Sequence, residues 1–327
     1  MIKQIFYNAS ERRIRSFWRL LLTGVLSFIG VIICSIAIQL FVGRPLVVML
    51  VGAPVTLGLV LGCVTIGGRF LDRRELEDFG LHLERRWFTD LAFGLALGLM
   101  LVTGIVAVEF AAGWSSQLAH AHRLYPEEPQ TLELATLVVF FLCVGIYEEL
   151  AFRGYMLKNL AEGWNWRAVG ANNAILAAVL ATSLLFGIIH GMNPHATLIS
   201  VCNTVLSGLL LSLGLLLTGE LAIPIGFHVT WNLTQSVVYG LPVSGVSLGG
   251  GLFALQTSGP AWLTGGDYGP EGGLLCTLAL LAGMLLMVAW VRFGKRPLRI
   301  TTRLGEAPTQ VIQSAVPAET DEQVTDD

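Results

Sequence analysis

The sequence predicts an all-α polytopic membrane protein, with about eight transmembrane helices around a central polar cavity. Of its 327 residues, 54% are hydrophobic and only 13% are charged, and the mean hydropathy is +0.68. The apolar residues form long runs that a soluble fold could not bury, whereas a bilayer solvates them. The formal net charge is −3, without a basic block. Membrane lipids are therefore expected partners, and nucleic acid is not.

Eight apolar runs are each near or above the roughly 20 residues that a helix needs to cross a bilayer. They lie near 17–41, 45–66, 88–111, 131–161, 171–191, 196–218, 221–240 and 273–293. No small-residue cleavage site follows the first run, so we interpret it as a retained helix rather than a signal peptide. The chain then divides into an N-terminal segment, a membrane domain and a polar tail for which we expect disorder. Their bounds are 1–16, 17–293 and 294–327.

The distribution of Lys and Arg predicts the orientation of the chain, because cytoplasmic loops are enriched in positive charge. Basic residues are concentrated in alternate loops, and the intervening loops contain almost none. With eight spans, this pattern predicts that both termini are cytoplasmic. The basic segments are the N-terminus, 69–87, the stretch around Arg153, Lys158 and Arg167, and 292–303.

The fourth span contains charged residues, which are costly in a bilayer and suggest a function. Its sequence IYEELAFRGY includes Glu148, Glu149 and Arg153. Glu149 and Arg153 have the spacing of a helical ion pair, which would leave Glu148 without a cationic partner. An unpaired carboxylate in an apolar setting suits a general base. The alternative is that all three residues form one structural ion cluster.

Two later spans add polar residues of other kinds. The fifth span ends with Phe186 and His190 on one helical face, and the seventh places His228 and Asn232 one turn apart. Two His and the Glu148 carboxylate are candidate ligands for a divalent metal such as zinc. The same side chains could instead polarise a water without metal, with Glu148 as base and His228 and Asn232 as oxyanion donors.

Three motifs on successive spans resemble the CPBP intramembrane proteases, which include CAAX prenyl endopeptidases and bacteriocin-processing or self-immunity proteins. The motif region is 146–235, and the stretches ELEDFGLHLERRWFTDLAFG and GGDYGPEGG also resemble bacterial members. The motifs are EExxxR at Glu148, Glu149 and Arg153, FxxxH at Phe186 and His190, and HxxxN at His228 and Asn232.

The resemblance implies an endopeptidase, glutamate-dependent or a metalloprotease, acting on a membrane-associated peptide or protein. Glu148 would activate the hydrolytic water, and His190 would assist by ligation or hydrogen bonding. His228 and Asn232 would bind a metal or stabilise the oxyanion. Glu149 and Arg153, with Phe186, would support the site. The implied cofactor is none or one divalent metal, and the implied location is a bacterial inner membrane.

Two other function classes fit the same spans. One is a catalytically silent scaffold or immunity protein with the same fold. The other is an ion- or proton-coupled transporter, in which the acid and His residues would relay protons. The chain has no obvious inverted repeat, which disfavours the transporter, and the complete set of motifs disfavours the scaffold.

Overall fold

The computed structural model describes residues 2–9, 11–118, 123–249, 251–294, 296–298 and 301–308. Within these ranges the chain is mainly helical, and its strands form two short antiparallel ribbons. In the first ribbon β1, Tyr7–Asn8, pairs with β2, Arg13–Ile14. In the second, β3, Ser115–Gln117, pairs with β4, Leu255–Thr257.

The α-helices are numbered in chain order. They are α1 Ile2–Phe6, α2 Ser16–Val42, α3 Pro45–Gly67, α4 Arg85–Ala111, α5 Gln130–Glu149, α6 Leu157–Trp164, α7 Ala171–His190, α8 Leu198–Thr218, α9 Ala222–Leu233, α10 Ala261–Thr264 and α11 Leu274–Phe293. Three π-helical segments extend or join them, at Gly68–Asp72, Leu150–Met156 and Thr234–Val238. The 3₁₀ helices are Leu76–Phe79, Gly266–Tyr268, Pro270–Gly272 and Thr302–Gly305.

Seven helical segments of the described chain are long and apolar enough to cross a bilayer, which confirms the prediction of an all-α polytopic membrane protein; one of the eight predicted runs is not among them. They are Ser16–Val42, Pro45–Asp72, Arg85–Ala111, Gln130–Trp164, Ala171–His190, Leu198–Thr218 and Leu274–Phe293.

The predicted span 221–240 is shorter than these seven. It consists of α9, with 12 residues, and the five-residue π-helical segment that follows. A left-handed Gly219 ends α8, and α9 begins only three residues later. Nearly all of α9 is buried. This helix therefore lies inside the bundle, and its apolar character serves protein packing rather than contact with lipid.

Glycines allow α4 and α9 to pack with their backbones in close contact. Gly94 and Gly98 of α4 form a GxxxG pattern, a spacing that lets membrane helices approach closely. A Cβ atom at Gly98 would lie 2.6 Å from the carbonyl oxygen of Phe227, and one at Gly94 would lie 2.5 Å from that of Ile223. No side chain fits at these positions, so α4 fixes the place of α9.

A buried charge cluster joins the N-terminal segment to α6. The Glu162 carboxylate accepts hydrogen bonds from Arg19 Nη2 at 2.6 Å and from Arg74 Nη2 at 2.9 Å. Arg13 also pairs with Glu162, and Arg19 Nε lies 3.2 Å from Asp72 Oδ1. These contacts place the start of the chain and the loop after α3 at one end of the bundle, which we call the basic end.

Part of the predicted disordered tail packs against the basic end. Arg74 Nη2 donates to the carbonyl oxygen of Glu306 at 2.6 Å, and Leu304 is buried. The 3₁₀ helix Thr302–Gly305 therefore belongs to the folded protein. Residues 309–327, which make up most of the predicted tail, lie outside the described residues.

We expect Gly98→Ala to destabilise the protein, because the added methyl group would meet the α9 backbone and push the two helices apart. Overpacking of this kind costs about 1–3 kcal/mol in well-packed interiors. Gly104 lies on the same helix with nothing within 4 Å of a Cβ atom, so Gly104→Ala is the matched control. Thermal unfolding in detergent should show a lower Tm for Gly98→Ala only. Equal Tm values would contradict the close packing of α4 on α9.

Candidate active site

The paired acids of the first motif lie where an α-helix changes to a π-helix. Glu149 is the last residue of α5, and Arg153 lies in the π-helical segment Leu150–Met156. A second π-helical segment, Thr234–Val238, begins two residues after Asn232. Such segments are frequent at functional sites, because they alter the direction of side chains along a helix. Two of the three motif-bearing helices are modified in this way next to their polar residues.

Glu149 and Arg153 form the ion pair that the sequence predicts. Arg153 Nη1 donates to Glu149 Oε1 at 3.0 Å, and both side chains are buried. The Arg153 guanidinium also lies over the Phe186 ring, 4.4 Å from its centroid, in a cation–π arrangement. Phe186 thus supports the cation of the pair from α7.

His228 joins this pair from α9. Its Nδ1 donates to the same Glu149 oxygen at 2.8 Å. Since Nδ1 carries the proton, Nε2 is an acceptor in the neutral ring and a donor only in the imidazolium. Nε2 lies 3.9 Å from Glu148 Oε2, beyond hydrogen-bonding distance. Glu149 therefore orients the His228 ring, and the free edge of that ring faces Glu148.

His190 is oriented by its own helix. Its Nδ1 lies 2.8 Å from the carbonyl oxygen of Phe186, which can only accept a hydrogen bond, so Nδ1 donates and Nε2 is left as an acceptor. The His190 and Phe186 rings are 4.3 Å apart between centroids. Phe186 also makes an edge contact with His228 at 6.3 Å. The Phe186 ring thus lies between the two histidines.

One cavity of about 200 Å³ brings the four candidate catalytic residues together. Glu148, His190, His228 and Asn232 all line it. Glu148 Oε2 is buried and has no hydrogen-bond partner among the described residues. The rest of the lining is largely apolar, with aromatic residues such as Phe141. The cavity can hold water beside an unpaired carboxylate.

The loop between α9 and α11 forms another wall of this cavity, which sequence reasoning missed. Ser244 and Glu271 line the cavity, and Glu271 is 8% exposed. Glu271 belongs to GGDYGPEGG, whose resemblance to bacterial members was the available signal. Burial raises the pKa of Tyr268, in the same stretch, to about 12, so its phenol adds no charge there.

The candidate metal ligands do not form a metal-binding group. In the part of the chain that the structure describes, no three His, Cys, Asp or Glu side chains are placed to hold a metal ion. The Nδ1 atoms of His190 and His228 are hydrogen-bonded, which leaves the Nε2 atom of each ring as the one that could ligate. A protein zinc site takes at least three protein ligands. Within the described residues, Glu148, His190 and His228 line one cavity without converging as a three-ligand group.

We expect Glu149→Ala to destabilise the protein strongly, because it leaves the Arg153 guanidinium buried without a partner. Breaking a buried pair in this way costs about 3–5 kcal/mol in soluble proteins. The double variant Glu149→Ala/Arg153→Ala should recover part of the lost Tm, and the recovery should be incomplete because His228 also loses its acceptor. Glu127→Ala, at an exposed carboxylate, is the control. A double variant no more stable than Glu149→Ala would argue against the pair.

Comparison with known protein families finds a match in the region that carries the motifs. Residues 130–234 match the family model described as type II CAAX prenyl endopeptidase Rce1-like. The matched segment is less than half of the chain, but it contains all seven motif positions. Neither the curated proteins nor the solved structures contain a match to the chain. The protein is an integral membrane protein whose segment 130–234 is similar to the Rce1-like type II CAAX prenyl endopeptidases, consistent with the CPBP family of intramembrane proteases.

Proposed function

We propose that the protein is an intramembrane endopeptidase that hydrolyses peptide bonds of a membrane-associated peptide or protein, without a catalytic metal. The observation that carries this proposal is the contrast between two neighbouring carboxylates. Glu149 is bonded to Arg153 and His228, whereas Glu148 faces the cavity with an unpartnered oxygen. One acid supports the site and the other is available to a water molecule.

Glu148 is the proposed general base. A base must lie within reach of the water from which it takes a proton, and the cavity has room for a water molecule beside this carboxylate. His190 assists, because its Nε2 accepts a hydrogen bond from the same water and directs the oxygen lone pair toward the substrate. The apolar lining strengthens these interactions by lowering the local dielectric constant.

His228 and Asn232 are the proposed oxyanion donors. Asn232 lines the cavity one helical turn after His228, so its amide is a second donor on the same side. His228 donates through Nε2 in its imidazolium form, which Glu149 supports through Nδ1. Preorganised donors aimed at the developing negative charge are a principal source of catalysis in acyl transfer.

The proposed reaction balances with these groups alone. Glu148 takes a proton from water as the oxygen attacks the scissile carbonyl carbon, and negative charge moves to the carbonyl oxygen. His228 and Asn232 stabilise that oxyanion. Glu148 then gives its proton to the nitrogen as the C–N bond breaks. The first products are a carboxylic acid and an amine, which exchange a proton to become a carboxylate and an ammonium, and the glutamate returns to its starting state.

The basic end is the proposed cytoplasmic side of a bacterial inner membrane. The N-terminal segment, the loop after α3 and residues 301–308 all meet there. Both ends of the described chain lie on one side because α9 and its extension traverse the bundle in addition to the seven longer segments. This arrangement, with the positive charge of these segments, favours cytoplasmic termini.

We expect Glu148→Gln to fold normally and to lose at least about 10²-fold in kcat, as for removal of a general base. The assay would use purified protein in vesicles and two sets of quenched fluorescent peptides, one ending in a prenylated CAAX sequence and one carrying an unmodified transmembrane segment. Glu127→Gln is the matched control. Near wild-type cleavage by Glu148→Gln would overturn the proposed base. No cleavage by wild type would favour the silent scaffold.

We also expect the purified active protein to contain no stoichiometric metal, because three suitable ligands do not converge. Elemental analysis after mild purification, with cleavage measured in the presence and absence of a chelator, is the test. Activity should survive chelation. One zinc per chain, lost together with activity in His190→Ala, would establish the metalloprotease alternative.

A further inference from the structure

Glu271 is a second carboxylate at the cavity, it is buried, and the proposed reaction does not use it. Each of its two oxygens accepts two hydrogen bonds, from N–H groups and from one hydroxyl. Oε1 accepts from Trp231 Nε1 at 2.8 Å and from Gln235 Nε2 at 3.2 Å. Oε2 accepts from the backbone nitrogen and the hydroxyl of Ser244, both at 2.6 Å. With four donors, this carboxylate is engaged on all sides.

These donors come from two different walls of the cavity. Trp231 lies on α9 and Gln235 on its π-helical extension, so they share a helix with His228 and Asn232. Ser244 lies in a tight turn closed by backbone hydrogen bonds in both directions between Val243 and Val246. Glu271 therefore connects the helix that carries the polar motif to the turn on the loop side.

The backbone around Glu271 is itself fixed to the bundle. Asn203 Nδ2, on α8, donates to the carbonyl oxygens of Glu271 and Gly273, each at 2.8 Å. Thr277 in turn donates to Asn203 Oδ1 at 2.6 Å. The carboxylate thus projects from a rigid base rather than from a free loop.

Ser244 requires such support, because it has a φ of +47°. This left-handed conformation is unfavourable for a residue with a Cβ atom. Glu271 bonds its nitrogen and hydroxyl, and Asn193 Nδ2 donates to its carbonyl oxygen at 2.9 Å. Every polar group of Ser244 is thereby occupied in the strained conformation.

We propose that Glu271 is a positioning residue that holds the turn 243–246 against α9 and so sets the width of the cavity where the peptide bond meets Glu148. This inference rests on the proposed function. Glu271 does not touch the reacting groups, because all of its acceptor positions are used. It acts through Ser244 and Trp231, which line the cavity.

The kinetic test begins with Glu271→Gln, which places an amide donor where the structure needs an acceptor. We expect kcat/KM for the quenched peptides to fall about tenfold, mostly through KM, since misplaced walls impair substrate positioning. Asp267→Asn, at an exposed acid of the same loop, is the matched control and should be unchanged. A folded Glu271→Gln with wild-type kcat/KM would overturn the proposal.

Rescue at position 244 separates positioning from general stabilisation. Glycine adopts positive φ at little cost. Added to Glu271→Gln, Ser244→Gly should therefore raise kcat/KM about threefold, whereas Ser244→Ala should not raise it. If Glu271→Gln does not fold, the single variants carry the test. Ser244→Ala should then lower kcat/KM more than Ser244→Gly, and the reverse order would contradict the proposal.

Hydrogen exchange provides a readout that needs no substrate. In the full-length protein, Glu271→Gln should accelerate exchange in residues 241–249 relative to wild type, while Asp267→Asn should not. If wild type cleaves neither peptide set, the proposed function fails, and exchange alone decides whether Glu271 holds the turn. Unchanged exchange would refute that role. Faster exchange with unchanged kcat/KM would make Glu271 structural only.

Discussion

A single carboxylate oxygen organises the centre of this protein. Glu149 Oε1 accepts from Arg153 at 3.0 Å and from His228 at 2.8 Å, so one buried atom joins the α5 segment to α9. The arrangement neutralises a charge that would be costly in the bilayer. It also fixes the tautomer and direction of His228, in the way that carboxylates orient histidines at many catalytic sites. Glu148 is left free because its neighbour takes both cationic partners.

The surrounding packing makes this geometry rigid. The glycines of α4 allow the backbone of α9 to lie directly against that helix, and Gly145 of α5 lies against Val229 on the other side. A helix held between two neighbours at backbone distance has little freedom to tilt. The Glu149–His228 hydrogen bond therefore joins two elements whose separation is already set by steric contact.

The sequence predicts much of the fold and of the site for identifiable reasons. Long apolar runs define the membrane helices, because the bilayer imposes the same length requirement on each. Charged and polar residues inside those runs are few, so Glu148, Glu149, His190 and His228 are conspicuous. Helical spacing alone predicts the Glu149–Arg153 pair.

Other features depend on tertiary contacts that no local pattern specifies. The 221–240 run has the composition of a spanning helix, yet its partners bury it and the chain turns before full length. The hydrogen bond from His228 to Glu149 requires α9 to approach α5. The spacing of residues along one helix does not predict such a contact. Glu271 lies in a Gly-rich loop about forty residues after His228, a separation over which sequence order carries no distance information. The C-terminal residues near Leu304 are mostly polar, but the Leu304 side chain is buried in a hydrophobic cluster and holds them against the bundle.

The shortness of α9 also determines where the chain leaves helical structure. At about 1.5 Å per residue, α9 and its π-helical extension reach about 25 Å, less than the hydrocarbon thickness of about 30 Å. Because α9 is buried inside the bundle, the longer helices around it meet the lipid, and its length imposes no thinning on the bilayer. Irregular backbone at membrane depth is tolerated where it is enclosed by protein or lines a cavity, and the turn 243–246 that follows lines the cavity. The missing helical length therefore becomes a wall of the cavity, so the shortening that keeps α9 from spanning the bilayer alone makes room for a cavity beside Glu148.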